Sequence, residues 1–127
     1  MKKLLFIGMV FHEKTRSVAF LKTLLEKIYS VAYCFVDPVS DPSFTAFDEV
    51  DVTDIDVLVC LQVMPPRNLL SQHFRFKHAV FFPMFDSCPR VSKLEKWLPY
   101  REFQIVCFCQ KLAKKLCRAG FSAHSIQ

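Results

Sequence analysis

Two glycines, Gly8 and Gly120, are all that 127 residues provide. A Walker A loop and a GxGxxG dinucleotide fingerprint both need several, because only glycine lets the backbone approach phosphate closely. A self-sufficient NAD or ATP site is therefore not expected, and no cofactor is assigned. Nor does any apolar run approach the roughly 20 residues that a membrane span requires. Met1, Lys2 and Lys3 ahead of Leu4-Leu5-Phe6-Ile7 imitate a secretory leader, but the run breaks at His12-Glu13-Lys14 without a small-residue cleavage site. A soluble, cytoplasmic chain is the expectation. There is also no Cys-x-x-Cys pair among the six cysteines. Cys107-Phe108-Cys109 would put two thiols on one strand face, not around a tetrahedral ion, and most of the others lie in apolar runs as small hydrophobes. Reduced thiols and no metal follow.

What the sequence has in quantity is apolar surface. The hydrophobic fraction is 52%, with fourteen phenylalanines. That is more than a domain of this size needs for its own core, and it fits a sheet covered on both faces or a surface hidden against a partner. The formal charge of +5 is unevenly spread. Residues 37–56 hold seven acids and no base, whereas residues 90–118 hold eight bases against Glu95 and Glu102. A basic flank attracts phosphate or an anionic membrane surface, and peripheral contact with the inner face of a membrane is one reading; solvated helix faces give the same pattern. The aromatics lie inside apolar strands instead of alternating with Arg and Lys, so nucleic acid is not an expected partner.

Apolar periodicity alternates along the chain. Strands are predicted over Lys3 to Val10, Val31 to Val36, Ile55 to Val63, His78 to Met84, Phe103 to Cys109 and from Phe121 onward. Between them, Glu13 to Tyr29 reads as one helix with Val18, Leu21, Leu25 and Ile28 inward. The acidic stretch that follows Asp37-Pro38 and contains Pro42 reads as a loop. Pro65-Pro66 starts a short helix, Val91 to Leu98 makes a helical turn or two, and Lys111 to Arg118 is a helix closed by Gly120. Strand alternating with helix is the mark of βαβ units. The expected fold is a single α/β domain over residues 1–127, a Rossmann-like three-layer sandwich with a mostly parallel open sheet of five to six strands.

In such sheets ligands bind beyond the carboxyl ends of the strands. Four segments qualify: Gly8 to Ser17, Asp37 to Ser40, Gln62 to Arg67, and Pro83 to Ser87. His12 stands directly after the first strand, where a general base would serve, and its ordinary pKa near 6.5 suits that work; a histidine at the start of a helix is the plain alternative. Phe11, Glu13, Arg16, Gln62, Asp86 and Ser87 are the candidate substrate contacts. Asp86 can bind a sugar hydroxyl or cap the turn with Ser87. The acids at 48, 49, 51, 54 and 56 lack a calcium-loop pattern and read as a solvated loop. His73, His78 and His124 have no ligand-like spacing.

Asp56-Val-Leu-Val-Cys-Leu-Gln, His78-Ala-Val-Phe-Phe-Pro-Met-Phe-Asp-Ser and the run from Phe103 to Gly120 resemble the N-terminal domains of bacterial GT-B glycosyltransferases. The opening Lys3-Leu-Leu-Phe-Ile-Gly suits the first βα unit of that domain. The resemblance is one of strands and turns and includes no diagnostic motif. It implies a sugar or glycan acceptor at the N-terminal domain. The nucleotide-sugar would be held by a donor-binding C-terminal domain or partner chain that these residues do not supply. On that implication His12 and the loop around Asp86 face the acceptor, and the chain is inactive alone. Two other readings stand beside it: a stand-alone flavodoxin-like or receiver-like binding module, and an interaction protein that forms a homodimer through its apolar surface. A receiver would cluster acids after the first strand, where Phe11-His12-Glu13-Lys14 offers one.

Overall fold

A computed structural model describes residues 1–15, 18–83 and 94–125. The sheet has six strands in the order β2-β1-β3-β4-β5-β6, and every neighbouring pair is parallel. The strands are β1 (Lys3–Met9), β2 (Ser30–Val36), β3 (Asp54–Leu61), β4 (Arg75–Phe82), β5 (Gln104–Cys107) and β6 (Ala123–Ser125). The helices are α1 (Val10–Thr15), α2 (Ala19–Glu26), α3 (Arg67–His73), α4 (Leu94–Trp97) and α5 (Gln110–Arg118). The expected α/β class and open parallel sheet are therefore found.

Alternation along the strands divides the core in two. Leu5, Ile7, Leu58, Cys60, Ala79, Phe81, Ile105 and Cys107 point to one face, and Leu4, Phe6, Val59 and Leu61 to the other. The direction of each crossover sets which face its helix covers, because parallel crossovers are right-handed. The step from β1 to β2 runs one way along the sheet and puts α2 on the second face. The later steps run the opposite way and put α3, α4 and α5 on the first, where Leu70, Trp97, Leu112 and Leu116 are buried. Among the described residues only α2, through Val18, Leu21 and Leu25, packs on the second face.

Several boundaries differ from the periodicity. The single helix expected over Glu13 to Tyr29 is two, α1 and α2, and Ile28 is 64% exposed instead of inward. Lys27 closes α2, so Ile28 falls past the last turn and leaves the buried stripe. The loop before β3 contains a 3₁₀ helix, Thr45–Glu49, that inserts Phe47 into the core beside Phe74. β4 starts three residues early because Arg75 N–H donates to Thr53 O at 2.7 Å, continuing the ladder below the apolar run. The end of α5 follows the glycine rule closely. Gly120 has φ +90°, its N–H donates to Cys117 O at 3.0 Å, and Phe121 N–H donates to Leu116 O at 3.0 Å. This is a Schellman closure, with Phe121 and Leu116 both buried beside it.

Candidate functional site

Strand order reverses at β1. β2 lies on one side of it and β3 on the other, so the connections leaving β1 and β3 diverge and open a crevice beyond their carboxyl ends. α1 follows β1 into that crevice with Phe11 and His12, and Gln62 follows β3. The rim continues through Phe82 at the end of β4 and Phe108 beyond β5, whose rings lie 6.3 Å apart.

His12 is 2% exposed, the one buried polar side chain among the described residues. It is the third residue of α1, and Met9 precedes the helix. Met9 N–H donates to His12 Nδ1 at 2.9 Å. A side chain at this helical position reaching back to the backbone N–H before the helix is half of a capping box, with imidazole in the part usually taken by Glu or Gln. The bond also settles the tautomer. A backbone N–H can only donate, so Nδ1 is an acceptor and the proton of the neutral ring sits on Nε2. Nε2 is buried and has no hydrogen-bond partner. Burial lowers the His12 pKa from the ordinary value, and the neighbouring Gln62 side chain offsets this in part by favouring the cation. In this geometry Nε2 offers a hydrogen and no lone pair, so proton abstraction there would require the other tautomer.

Gln62 adopts φ 60°, one of two non-glycine residues with positive φ among those described. The left-handed region costs an ordinary residue of order 1–3 kcal/mol, and such residues persist where the surroundings fix them. Here the N–H of Gln62 donates to Phe82 O at 2.9 Å, which ties the end of β3 to the end of β4 and turns the chain out of the sheet. Phe11, on α1 next to His12, is 47% exposed, with its ring 4.1 Å from the imidazole.

Of the residues singled out from the sequence, His12, Phe11 and Gln62 come together here. Glu13 is exposed on α1. Arg16, Asp86 and Ser87 lie outside the described residues. Asp37, at the end of β2, accepts the N–H of Val39 within its own turn. Three other acids have structural partners. Asp41 accepts from Thr45 and Ala46 at the start of the 3₁₀ helix, Asp54 pairs with Arg75, and Asp56 takes Lys3 N–H at 2.8 Å and Lys77 at 3.3 Å. His78 and His124 are exposed. Two features escaped the sequence reading: the Met9–His12 bond and the strain at Gln62. The first had no signal in the periodicity, which started the helix at Glu13 and left His12 outside it. The second had none, since nothing local favours positive φ in Leu-Gln-Val.

Among the described residues, no three His, Cys, Asp or Glu side chains gather where they could hold a metal, and no helix is long and apolar enough to cross a membrane. A hollow of about 310 Å³ bounded by Lys3, Asp54, Asp56, Arg75 and Lys77 lies at the amino ends of the strands, opposite the crevice. Arg75 pairs there with Asp54, and Lys77 with Asp56, across β3 and β4. No protein-family model, no curated protein and no solved structure matches this chain.

Proposed function

We propose that the β1–β3 crevice binds a sugar or glycan, and that the chain serves as the acceptor-side half of a GT-B-type glycosyltransferase. The observation that carries this is the left-handed Gln62 at the point where strand order reverses, facing His12 across the crevice. Strain held at such a position is a mark of a ligand site. Exposed aromatics on the same rim, Phe11 at 47% and Phe108 at 38%, suit the apolar C–H face of a sugar ring. Scarce glycine argues against a phosphate cradle in the chain itself. A donor-binding domain or partner chain would hold the nucleotide-sugar. In the complete reaction the acceptor hydroxyl oxygen bonds to the anomeric carbon as the bond from that carbon to the nucleotide phosphate breaks, through an oxocarbenium-like state. The hydroxyl proton leaves to the departing phosphate or to solvent.

Exposed apolar side chains on α2 and just beyond it, Phe20 at 78%, Leu24 at 41% and Ile28 at 64%, support an associated domain or second copy. Contact of the basic α5 surface with an anionic membrane belongs to the same reading and rests on charge alone.

Strand order favours a second reading. The run β2-β1-β3-β4-β5 is the flavodoxin-like order, so a stand-alone binding module uses the same crevice. Thermal shift and calorimetry with neutral sugars, nucleotide-sugars, free nucleotides and flavin mononucleotide separate the two. Sugar binding without a nucleotide response is the expected result. Tight nucleotide or flavin binding by this chain would overturn the half-enzyme reading in favour of the module.

A further inference from the structure

Resting on the reading that the crevice is a ligand site, we propose that His12 recognises its ligand as a neutral hydrogen-bond donor, through Nε2–H, to an acceptor oxygen of a sugar. The ligand group facing it is then a lone pair on a hydroxyl, ring or carbonyl oxygen, and not a proton awaiting removal.

Three independent observations converge on this atom. Met9 N–H occupies Nδ1 at 2.9 Å, which fixes the hydrogen on Nε2. That hydrogen is buried with no acceptor in hydrogen-bond geometry, and a buried donor left unmade is destabilising. Such groups call for an explanation, and an oxygen supplied by a ligand is one. The side chains nearest the ring are not closed off from solvent. Phe11 rests against the imidazole yet is half exposed, and Gln62 is partly exposed at a strained turn. A ligand oxygen that reaches Nε2–H meets the Gln62 side chain beside it, whose carboxamide is then placed to bond a second oxygen of the same ring.

Protonation would undo the arrangement. A hydrogen added at Nδ1 would point at the Met9 N–H, donor against donor, and break the bond that begins α1. The neutral form is therefore the one built into the fold, and it is the form that donates from Nε2 without bringing a charge into the crevice. A neutral donor suits an uncharged sugar oxygen, because no ion has to be desolvated to make the bond.

The test uses the whole chain with ¹⁵N-labelled imidazoles at neutral pH. Long-range ¹H–¹⁵N correlation distinguishes the tautomers directly, before any ligand is added. His12 is expected as the Nε2–H form; a ring protonated on Nδ1, or on both nitrogens, overturns the proposal whether or not the crevice binds anything. Glucose, N-acetylglucosamine, acetate and inorganic phosphate are then titrated in turn. Movement of the His12 Nε2 signal by the sugars supports the contact. Movement by acetate or phosphate alone assigns the donor to an anion and overturns the sugar class. If none of the four shifts it, the ligand contact is overturned and Nε2–H is a structural orphan. Two variants separate folding from recognition. His12→Asn keeps an acceptor oxygen for Met9 N–H and removes the Nε2 donor, so it should fold and bind the sugar about tenfold more weakly. His12→Phe removes both and should also loosen α1. Unchanged affinity in His12→Asn would sink the proposal.

Discussion

His73 Nε2 lies 2.9 Å from Asp48 Oδ1, joining the end of α3 to the 3₁₀ helix ahead of β3. The other ring nitrogen, Nδ1, faces Leu69 O at 3.0 Å. Both nitrogens meet acceptors, so the cation satisfies the site better than the neutral ring. His12 is the reverse case, with one nitrogen against a donor. Two histidines in one small domain are thus set on opposite sides of the ordinary value by what their nitrogens face.

A pH dependence follows with opposite signs. The Leu69 carbonyl, then Asp48, raise the His73 pKa above 6.5. Its contribution to stability is full below 6.5, the unfolded value, and is lost as pH rises through the raised folded value. Burial lowers His12, so its penalty is absent above 6.5 and grows as pH falls below it. Urea midpoints between about pH 5 and 8 should show the alkaline loss in wild type and a flatter limb in His73→Gln. An identical limb in both proteins refutes the assignment to His73.

Phe81 is fully buried in β4, with the rings of Tyr100 at 5.3 Å and Trp97 at 6.0 Å. Tyr100 also donates its hydroxyl to Pro65 O, which anchors the cluster over the sheet. Phe81→Ala leaves a cavity that these large rings cannot fill, and should cost about 3–5 kcal/mol in chemical unfolding. A loss under about 1 kcal/mol would mean that the layer over β4 collapses into the space.

Gly120 is the glycine whose backbone angle matters. At φ +90° an alanine is strained, and its Cβ would also meet Arg101 Nη2 at 2.9 Å, the movable end of a long side chain. Gly120→Ala should therefore lose about 1 kcal/mol through the backbone, and Gly120→Asn less, since Asn tolerates left-handed conformations. Equal losses would point to the Arg101 contact as the cause, and Arg101→Ala would relieve them.

Thiol reactivity should divide by burial. Cys34 is pushed up to about 11 by burial and the nearby Glu49 charge, and burial raises Cys60 further. Cys107 is buried as well, whereas Cys117 is exposed on α5. A disulfide reagent followed by peptide mapping should label Cys117 in the native protein and reach Cys34, Cys60 and Cys107 only after unfolding. Native labelling of Cys60 would show that β3 opens.

The class of fold and the strands' approximate places were legible because a strand covered on both faces must be apolar throughout, as Leu4 to Ile7 and Leu58 to Leu61 are. Gly120 was legible because the chemistry of helix termination is local. The break between α1 and α2 was not, since no proline or glycine marks the chain between Thr15 and Ala19. Phe11, His12 and Gln62 could each be named as standing after a strand. Only the tertiary structure brought them together, because pairing of β1 with β3 spans about fifty residues and depends on β2 taking the other side. The tautomer of His12 is set locally, by the N–H of Met9 three residues before it. Its residue type permits base, cation or donor, and the Met9 N–H at the end of β1, with the burial imposed across the crevice, leaves the neutral donor. Sequence sets which groups are available, while the folded geometry sets which atom of each can act, since burial depends on distances between residues far apart in the chain.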